Sequence, residues 1–350
     1  MTRKTTEKGK RNLFKIKVPL WLPILLTFSL VVTLYLDFKS INIGKSSPLI
    51  SQTAVSSCSE SMLQIRLKDY HLTRPLVLTD VPNESNNLKV FKEYFNQYIQ
   101  QKKSEGIMNS ASVYLRKIND GEWISIYGDE GFNPGSLIKV PVMITYLKLS
   151  EKNPDILNKV FALGESNIVL PNQTFSKEQI EKGKSYTVKD LIYYMIVKSD
   201  NNATFLLNQN LDIGAFQKLF TDLSMPVPSI HDPDFRITSI EYARFIRLLY
   251  NATYLTPENS EYALQLLANV DFKEGLLKQI PTGVIVAHKF GEFSKGDQKQ
   301  LHEAGIIYAA DNPYLLIVMT KGNNVHELSL VLSEISKYVF DNINIGNKNI

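Results

Sequence analysis

The sequence predicts an α+β protein with one antiparallel five-stranded sheet, terminal helices packed on a face of it, and an inserted all-helical subdomain. Three observations support this fold class. An amphipathic helix leads into two strands, a mostly helical block of about residues 150–270 follows, and three strands and a last helix complete the pattern. Because the helical block separates the second strand from the third, we expect it to form a subdomain beside the sheet.

A transmembrane helix is predicted to precede this domain. Residues 18–36 carry no charged side chain and follow a basic tail, residues 1–17. About nineteen residues at a rise of 1.5 Å just cross a bilayer's hydrocarbon core. Trp21 and Tyr35 lie near the two ends, as interfacial aromatic residues do. We expect a single-pass anchor with a cytoplasmic tail and everything after it outside. A cleaved signal peptide is the competing interpretation, although no small-x-small pattern follows the apolar run.

Composition limits the remaining possibilities. A hydrophobic content of 44% and a charged content of 21% are ordinary for a globular protein. Without the seven basic residues and one acidic residue of the tail, 32 basic and 34 acidic residues remain, so no nucleic-acid partner is predicted. The single cysteine, Cys58, excludes an intrachain disulfide and lies in a serine-rich linker, residues 37–61. The five histidines lack ligand spacing, and we predict neither a metal nor a cofactor.

The folded domain is predicted to span residues 62–350. Its first half begins with a short predicted strand at 76–78. Residues 88–103 have apolar side chains at helical spacing and predict an amphipathic helix. Residues 111–115 and 123–127 predict two strands, because a turn signal of Asn119, Asp120 and Gly121 lies between them. This hairpin leads directly into a long apolar run, residues 137–149, which predicts a buried helix.

The helical block is marked by three start signals. Thr187 with Asp190, and Thr238 with Glu241, have the spacing of capping boxes, and Pro257 suits a first helical position. A proline-rich loop, residues 224–238, interrupts the block. The chain then returns to predicted strands at 284–290, 304–309 and 314–320, and ends in a helix at 325–340.

The first candidate for chemistry is the pair Ser136 and Lys139. A turn at Pro134 and Gly135 delivers Ser136 to the start of the buried helix, and the spacing of three places Lys139 on the same face. A serine needs a base to become a nucleophile, and a desolvated lysine can be that base. The alternative is that Ser136 only caps the helix and that Lys139 is solvated.

Two further motifs favour the catalytic interpretation of Ser136 and Lys139. Ser199, Asp200 and Asn201 stand between two predicted helices, and the triplet from Lys289 to Gly291 lies on a predicted strand. In order and placement the three motifs resemble the serine β-lactamase and penicillin-binding protein superfamily, whose signature is S-x-x-K, S-D-N and K-T-G. The closer resemblance is to class A β-lactamases; it covers roughly residues 88–343 and is strongest at 186–207.

The resemblance implies a role for each residue. Ser136 is the expected nucleophile that forms an acyl-enzyme, Lys139 its proton partner, and Ser199 the relay to the leaving nitrogen. The expected substrate-binding groups are the Asn201 amide, the Lys289 charge for a substrate carboxylate, Gly291, and the backbone N–H of Glu292, which would complete an oxyanion hole with that of Ser136.

Two departures from the family pattern affect the expected activity. Phe290 replaces the family's Thr or Ser and removes a hydroxyl that helps to hold a substrate carboxylate. The loop after the second motif has no glutamate to activate water. Its acids, Asp232 and Asp234, are the candidate deacylation bases, and the alternative is that both are turn residues.

The resemblance implies a serine hydrolase that opens β-lactam amides, and the apolar run at 18–36 adds the expectation that it is membrane-anchored and extracytoplasmic. One alternative keeps the chemistry but changes the substrate to a cell-wall peptide, as in a D-alanyl peptidase or another amidase with slow deacylation. The other alternative is a catalytically idle domain that senses a wall fragment or an antibiotic.

Overall fold

A computed structural model describes residues 62–164, 170–171, 173–228, 234–310 and 312–343. The basic tail, the anchor at 18–36, the linker and Asp232 lie outside these described residues. Within the described ranges, no helix is both long enough and apolar enough to cross a bilayer. In chain order the described strands and helices are β1 (Leu63–Arg66), β2 (Leu76–Asp80), α1 (Lys89–Ser104), β3 (Met108–Lys117), β4 (Trp123–Ile126), α2 (Lys139–Ser150), β5 (Val160–Ala162), β6 (Ser185–Thr187), α3 (Val188–Val197), α4 (Asn201–Gln209), α5 (Ile213–Asp222), α6 (Ser239–Tyr250), α7 (Pro257–Ala268), β7 (Val286–Lys295), β8 (Gln298–Ile307), β9 (Tyr314–Gly322) and α8 (Val325–Asn342).

The central sheet has the strand order β4-β3-β9-β8-β7, and every neighbouring pair is antiparallel. This confirms the predicted five-stranded sheet. Residues 315–319 of β9 are all fully buried, so both faces of the sheet are covered at its centre. The terminal helices α1 and α8 pack against the sheet and against each other, where the rings of Tyr94 and Tyr338 stack at 3.4 Å.

The helical block lies between β4 and β7 in the chain, as predicted. Both capping boxes are present. Thr187 accepts a hydrogen bond from the Asp190 N–H at 3.1 Å, and Thr238 accepts one from the Glu241 N–H at the same distance. Pro257 occupies the first turn of α7. Helices α6 and α7 also contact the sheet, which joins the block to the strands of the third motif.

Two small ladders were not predicted in full. Strand β1 pairs with β2, and β5 pairs with β6. The strands β5 and β6 have three residues each and no fully buried side chain, so they lack the alternation that identifies a half-buried strand. The β5–β6 ladder matters for the site, because the chain between these strands returns across the second motif.

Candidate active site

The turn before α2 positions Ser136. Residues 135–138 form one 3-10 turn, and Ser136 is only 4% exposed. Gly135 has φ +49°, and a Cβ there would lie 2.4 Å from the Glu292 carbonyl oxygen; a Cβ on Gly291 would lie 2.4 Å from the Pro134 oxygen. Both glycines are therefore required for the turn to pack directly on β7.

A buried histidine stabilises the same turn through hydrogen bonds. His302 accepts a hydrogen bond from the Thr320 N–H at its Nδ1 and donates from Nε2 to the Asn133 oxygen at 3.0 Å. Burial lowers the pKa of His302 to about 3, so the ring is neutral and has one acceptor and one donor. The Asn133 side chain in turn accepts from the Gly135 N–H at 3.0 Å. This chain of hydrogen bonds fixes the residues before the nucleophile.

Lys139 lies in the first turn of α2 and is 2% exposed. Its Nζ donates to the Ser199 carbonyl at 2.7 Å, to the Asn201 Oδ1 at 3.0 Å and to the Ser199 Oγ at 3.3 Å. Burial lowers the pKa of Lys139 to about 7, against the opposing effect of the Asp200 charge. A substantial fraction of the amine is therefore neutral at physiological pH, as a general base requires.

The second motif is a strained turn between α3 and α4. Ser199 has φ +55°, a left-handed conformation that costs free energy in a residue with a side chain. Asp200 caps α4, since its two carboxylate oxygens accept from the Asn202 N–H at 2.7 Å and the Ile180 N–H at 2.6 Å. Burial raises the pKa of Asp200, and the backbone donors oppose that rise. The buried cap holds Ser199 and Asn201 toward Lys139.

Lys289, from β7, meets the second motif from the other side. Its Nζ donates to the Ser199 Oγ at 2.8 Å and to the Phe290 carbonyl at 3.2 Å, and its side chain is fully buried. Burial, followed by the nearby charge of Lys139, holds the pKa of Lys289 well below its ordinary value. The hydroxyl of Ser199 thus lies between two amines whose charged forms are both disfavoured.

Phe290 is part of an aromatic cluster. Its ring is 2% exposed, stacks on Phe272 at 4.4 Å and lies edge-on to Phe175 at 6.4 Å. The Lys289 Nζ lies 4.2 Å from the centre of the same ring. The substitution in the third motif therefore places an apolar wall beside the buried amine, in addition to removing a hydroxyl.

Glu292 brings both its backbone and its carboxylate to the site. Its carboxylate accepts from the Thr174 N–H at 2.9 Å and from the Thr174 hydroxyl at 2.6 Å. Its carbonyl lies 3.3 Å from the Gln173 Nε2, which also donates to the Ser136 Oγ at 2.7 Å. The backbone of Glu292 and the Ser136 hydroxyl therefore border the same space.

The structure brings Ser136, Lys139, Ser199, Asn201 and Lys289 together. It does not place Asp234 with them. The Asp234 carboxylate forms an ion pair with Lys295 at 3.0 Å, and the two side chains are 63% and 70% exposed. Such a position gives no support to Asp234 as a base, and Asp232 lies outside the described residues. Sequence patterns did not point to Gln173, because it belongs to no motif and no periodic segment.

The fold and the motif order are those of a β-lactamase-like serine hydrolase. A family model described as the β-lactamase enzyme family matches residues 91–343, and the chain belongs to this family. Two solved structures show the likeness in fold. A β-lactamase from Chitinophaga pinensis is 17% identical with a TM-score of 0.64, over 73% of this chain and 100% of that one. The structure of PBP-A is 20% identical with a TM-score of 0.62, over 76% of this chain and 99% of that one.

A variant of PBP-A, solved as an acyl-enzyme complex with penicillin G, is 19% identical with a TM-score of 0.63. It covers 76% of this chain and 100% of its own. The search of curated proteins gave no match. At these identities the neighbouring structures establish the fold alone.

Proposed function

We propose that the protein is a serine hydrolase that forms an acyl-enzyme on Ser136 with a β-lactam or a cell-wall peptide. The observation that supports this most directly is Lys139: a buried amine with a pKa of about 7, one helical turn after a buried serine. A lysine with no role in proton transfer has little reason to be buried without a carboxylate hydrogen-bonded to it. Family membership supports the same reaction class.

The site has a group for each step of acylation. Neutral Lys139 takes the Ser136 proton as the serine oxygen attacks the carbonyl carbon, and the negative charge develops between the backbone N–H groups of Ser136 and Glu292. Ser199 then gives its proton to the leaving nitrogen as the C–N bond breaks, and recovers one from Lys139, which holds the proton taken from Ser136 and lies 3.3 Å away. Lys289, 2.8 Å from the Ser199 hydroxyl, assists this transfer. Water later hydrolyses the ester.

The positions of the carboxylates favour a version of this function in which the acyl-enzyme is hydrolysed slowly. In the described part of the chain, the carboxylates in the motifs or next to them are those of Asp200 and Glu292. Asp200 is bound by backbone N–H groups and Glu292 by Thr174. Both carboxylates are thus engaged by these donors in the structure, and Asp234 is paired at the surface. A D-alanyl peptidase or amidase that keeps its acyl group for a long time is therefore the second candidate, beside a β-lactamase with rapid turnover.

Intact mass measurement after incubation with benzylpenicillin tests these proposals. Rapid turnover with little adduct supports a β-lactamase, and a persistent adduct supports the peptidase-like alternative. Ser136→Ala should abolish the adduct, while Ser294→Ala, at an exposed serine of β7, should leave it unchanged. If the chain forms no adduct and consumes no β-lactam, acylation by β-lactams is refuted and the idle sensing domain becomes the better hypothesis.

We also propose that residues 18–36 anchor the protein in a membrane with the hydrolase domain outside. The support is the uncharged apolar run and its basic flank. A membrane-impermeant maleimide should label Cys58 in intact cells. In a Cys58→Ser chain that also has Thr6→Cys, labelling should require permeabilised cells. Labelling of the Thr6→Cys chain, but not of the native chain, in intact cells would contradict this orientation. A mature chain that lacks the apolar run would identify a cleaved signal peptide.

A further inference from the structure

Residues 173–175 lie across the candidate site, and we call them the 173–175 segment. They come from the connection between β5 and β6, far in sequence from all three motifs. Each of the three side chains contacts a different part of the site. None of these contacts follows from the family motifs.

The Gln173 carboxamide occupies the groups that a substrate amide would need. Its Nε2 donates to the Ser136 Oγ at 2.7 Å and to the Glu292 carbonyl at 3.3 Å. Its Oε1 accepts from the Ser199 hydroxyl at 3.0 Å. The side chain therefore presents an amide N–H and an amide carbonyl to the expected nucleophile, the expected proton relay and the strand beside them.

The next two residues hold the glutamine in place. Thr174 binds the Glu292 carboxylate through both its N–H and its hydroxyl. The ring of Phe175 lies edge-on to Phe272 at 5.0 Å and to His326 at 5.2 Å, and it also meets Phe290. Phe290, the residue that departs from the family's third motif, is thus one of the residues against which the 173–175 segment packs.

The preceding backbone is tied to the second motif as well. The Asn201 Nδ2 donates to the Pro171 carbonyl at 2.9 Å, while the other end of the same amide accepts from Lys139. Asn202 accepts from the Leu170 N–H at 2.8 Å. The amide of Asn201, which we expect to bind substrate, therefore already has a partner at each end.

We propose that the 173–175 segment is an autoinhibitory contact, in which Gln173 mimics a substrate amide and must be displaced before Ser136 can be acylated. The inference rests on the proposed function, since it assumes that Ser136 is the nucleophile. A ligand then binds only the fraction of molecules in which the segment is open, and its apparent affinity is reduced by that fraction.

Gln173→Ala should raise the second-order rate constant for acylation of the full chain by a fluorescent penicillin. Two or three modest hydrogen bonds correspond to a rise of about tenfold or more. Gln265→Ala, at an exposed glutamine of α7, is the matched control and should leave the rate unchanged. A rate in Gln173→Ala equal to or below that of the native chain would overturn the proposal, since it would mean that Gln173 is neutral or assists the reaction.

Hydrogen exchange gives a second readout that does not depend on chemistry at Ser136. The Thr174 N–H should exchange slowly in the native chain and fast in Glu292→Ala, which removes its acceptor. If this amide exchanges at the rate of an open chain in the native protein, the segment is not closed and the inference is wrong. A third outcome separates the two proposals. If no variant forms an adduct, but the Thr174 N–H is protected in the native chain and loses that protection in Glu292→Ala, the segment is closed as inferred and the proposed function is wrong.

Discussion

The Lys289 Nζ lies 2.8 Å from the Ser199 hydroxyl oxygen. The lysine is fully buried, and burial holds its pKa well below the ordinary value. The hydroxyl accepts from the lysine and donates its own proton onward to Gln173 in the closed site. The direction of these two hydrogen bonds is the one needed to pass a proton from the lysine side toward a leaving group.

The acylation rate should depend on pH through Lys139. Its pKa in the folded protein is lowered to about 7 by burial, so the neutral base predominates above that pH and is lost below it. We expect the rate constant for acylation to fall about tenfold per unit below pH 7 and to level off above it. Stopped-flow labelling between pH 5 and 9 measures this, with circular dichroism to check folding. A flat profile would show that Lys139 is not the base.

Lys289→Met should lower activity without lowering stability. The substitution removes a buried amine that no carboxylate of the described residues binds directly, and burial of such a group costs free energy. We expect acylation to fall about a hundredfold, as when one electrostatic group of an active site is lost. The melting temperature should stay the same or rise.

The control for this variant is Lys295→Met, at an exposed lysine of the same strand. It should change neither quantity, because exposed ion pairs contribute little. A large drop in the melting temperature of Lys289→Met alone would indicate that Lys289 is mainly a structural residue.

Gly291→Ala should destabilise the protein. The added Cβ would lie 2.4 Å from the Pro134 oxygen and 2.9 Å from the Leu137 nitrogen, and both are backbone atoms that cannot move aside. Overpacking of this kind costs about 1–3 kcal/mol, and urea unfolding measures it. Gly214→Ala, in the first turn of α5, meets only the Asp212 side chain at 3.3 Å and should be neutral or slightly stabilising. Equal effects of the two substitutions would refute the close approach of the turn to β7.

Asp234→Asn should leave deacylation unchanged. The carboxylate is largely exposed and forms a surface ion pair with Lys295, so it has no position from which to activate water at the ester. Decay of the acyl-enzyme, followed by mass spectrometry, should have the same half-life in the variant and the native chain. A markedly longer half-life would restore Asp234 as the base that the sequence proposed.

The fold was predictable because its elements have strong local signals. The capping pairs at Thr187 and Thr238 mark two helix starts within one residue. Strand β8 was predicted only at its apolar end, because residues 298–303 are mostly polar. The motif residues were found because each motif spans only three or four consecutive residues. Their meeting point could then be inferred from the order of the elements.

Other parts of the site depend on contacts that sequence spacing does not encode. Gln173 reaches Ser136 and Ser199 only because the β5–β6 connection folds back over them. Asp234 pairs with Lys295, which is far away in sequence, and spacing from Ser199 could not reveal this contact. Phe290 could be recognised as a departure, but its aromatic partners come from separate segments of the chain.

Gly135 and Gly291 allow the turn before α2 to pack directly on β7. These two parts of the chain lie on either side of the helical insertion. The nucleophile's surroundings therefore cannot exist in an N-terminal fragment, however well its own helix forms. During synthesis and folding, the serine should stay unreactive until β7 has been added to the sheet. A covalent label on this residue would then report that maturation of the whole polypeptide is complete.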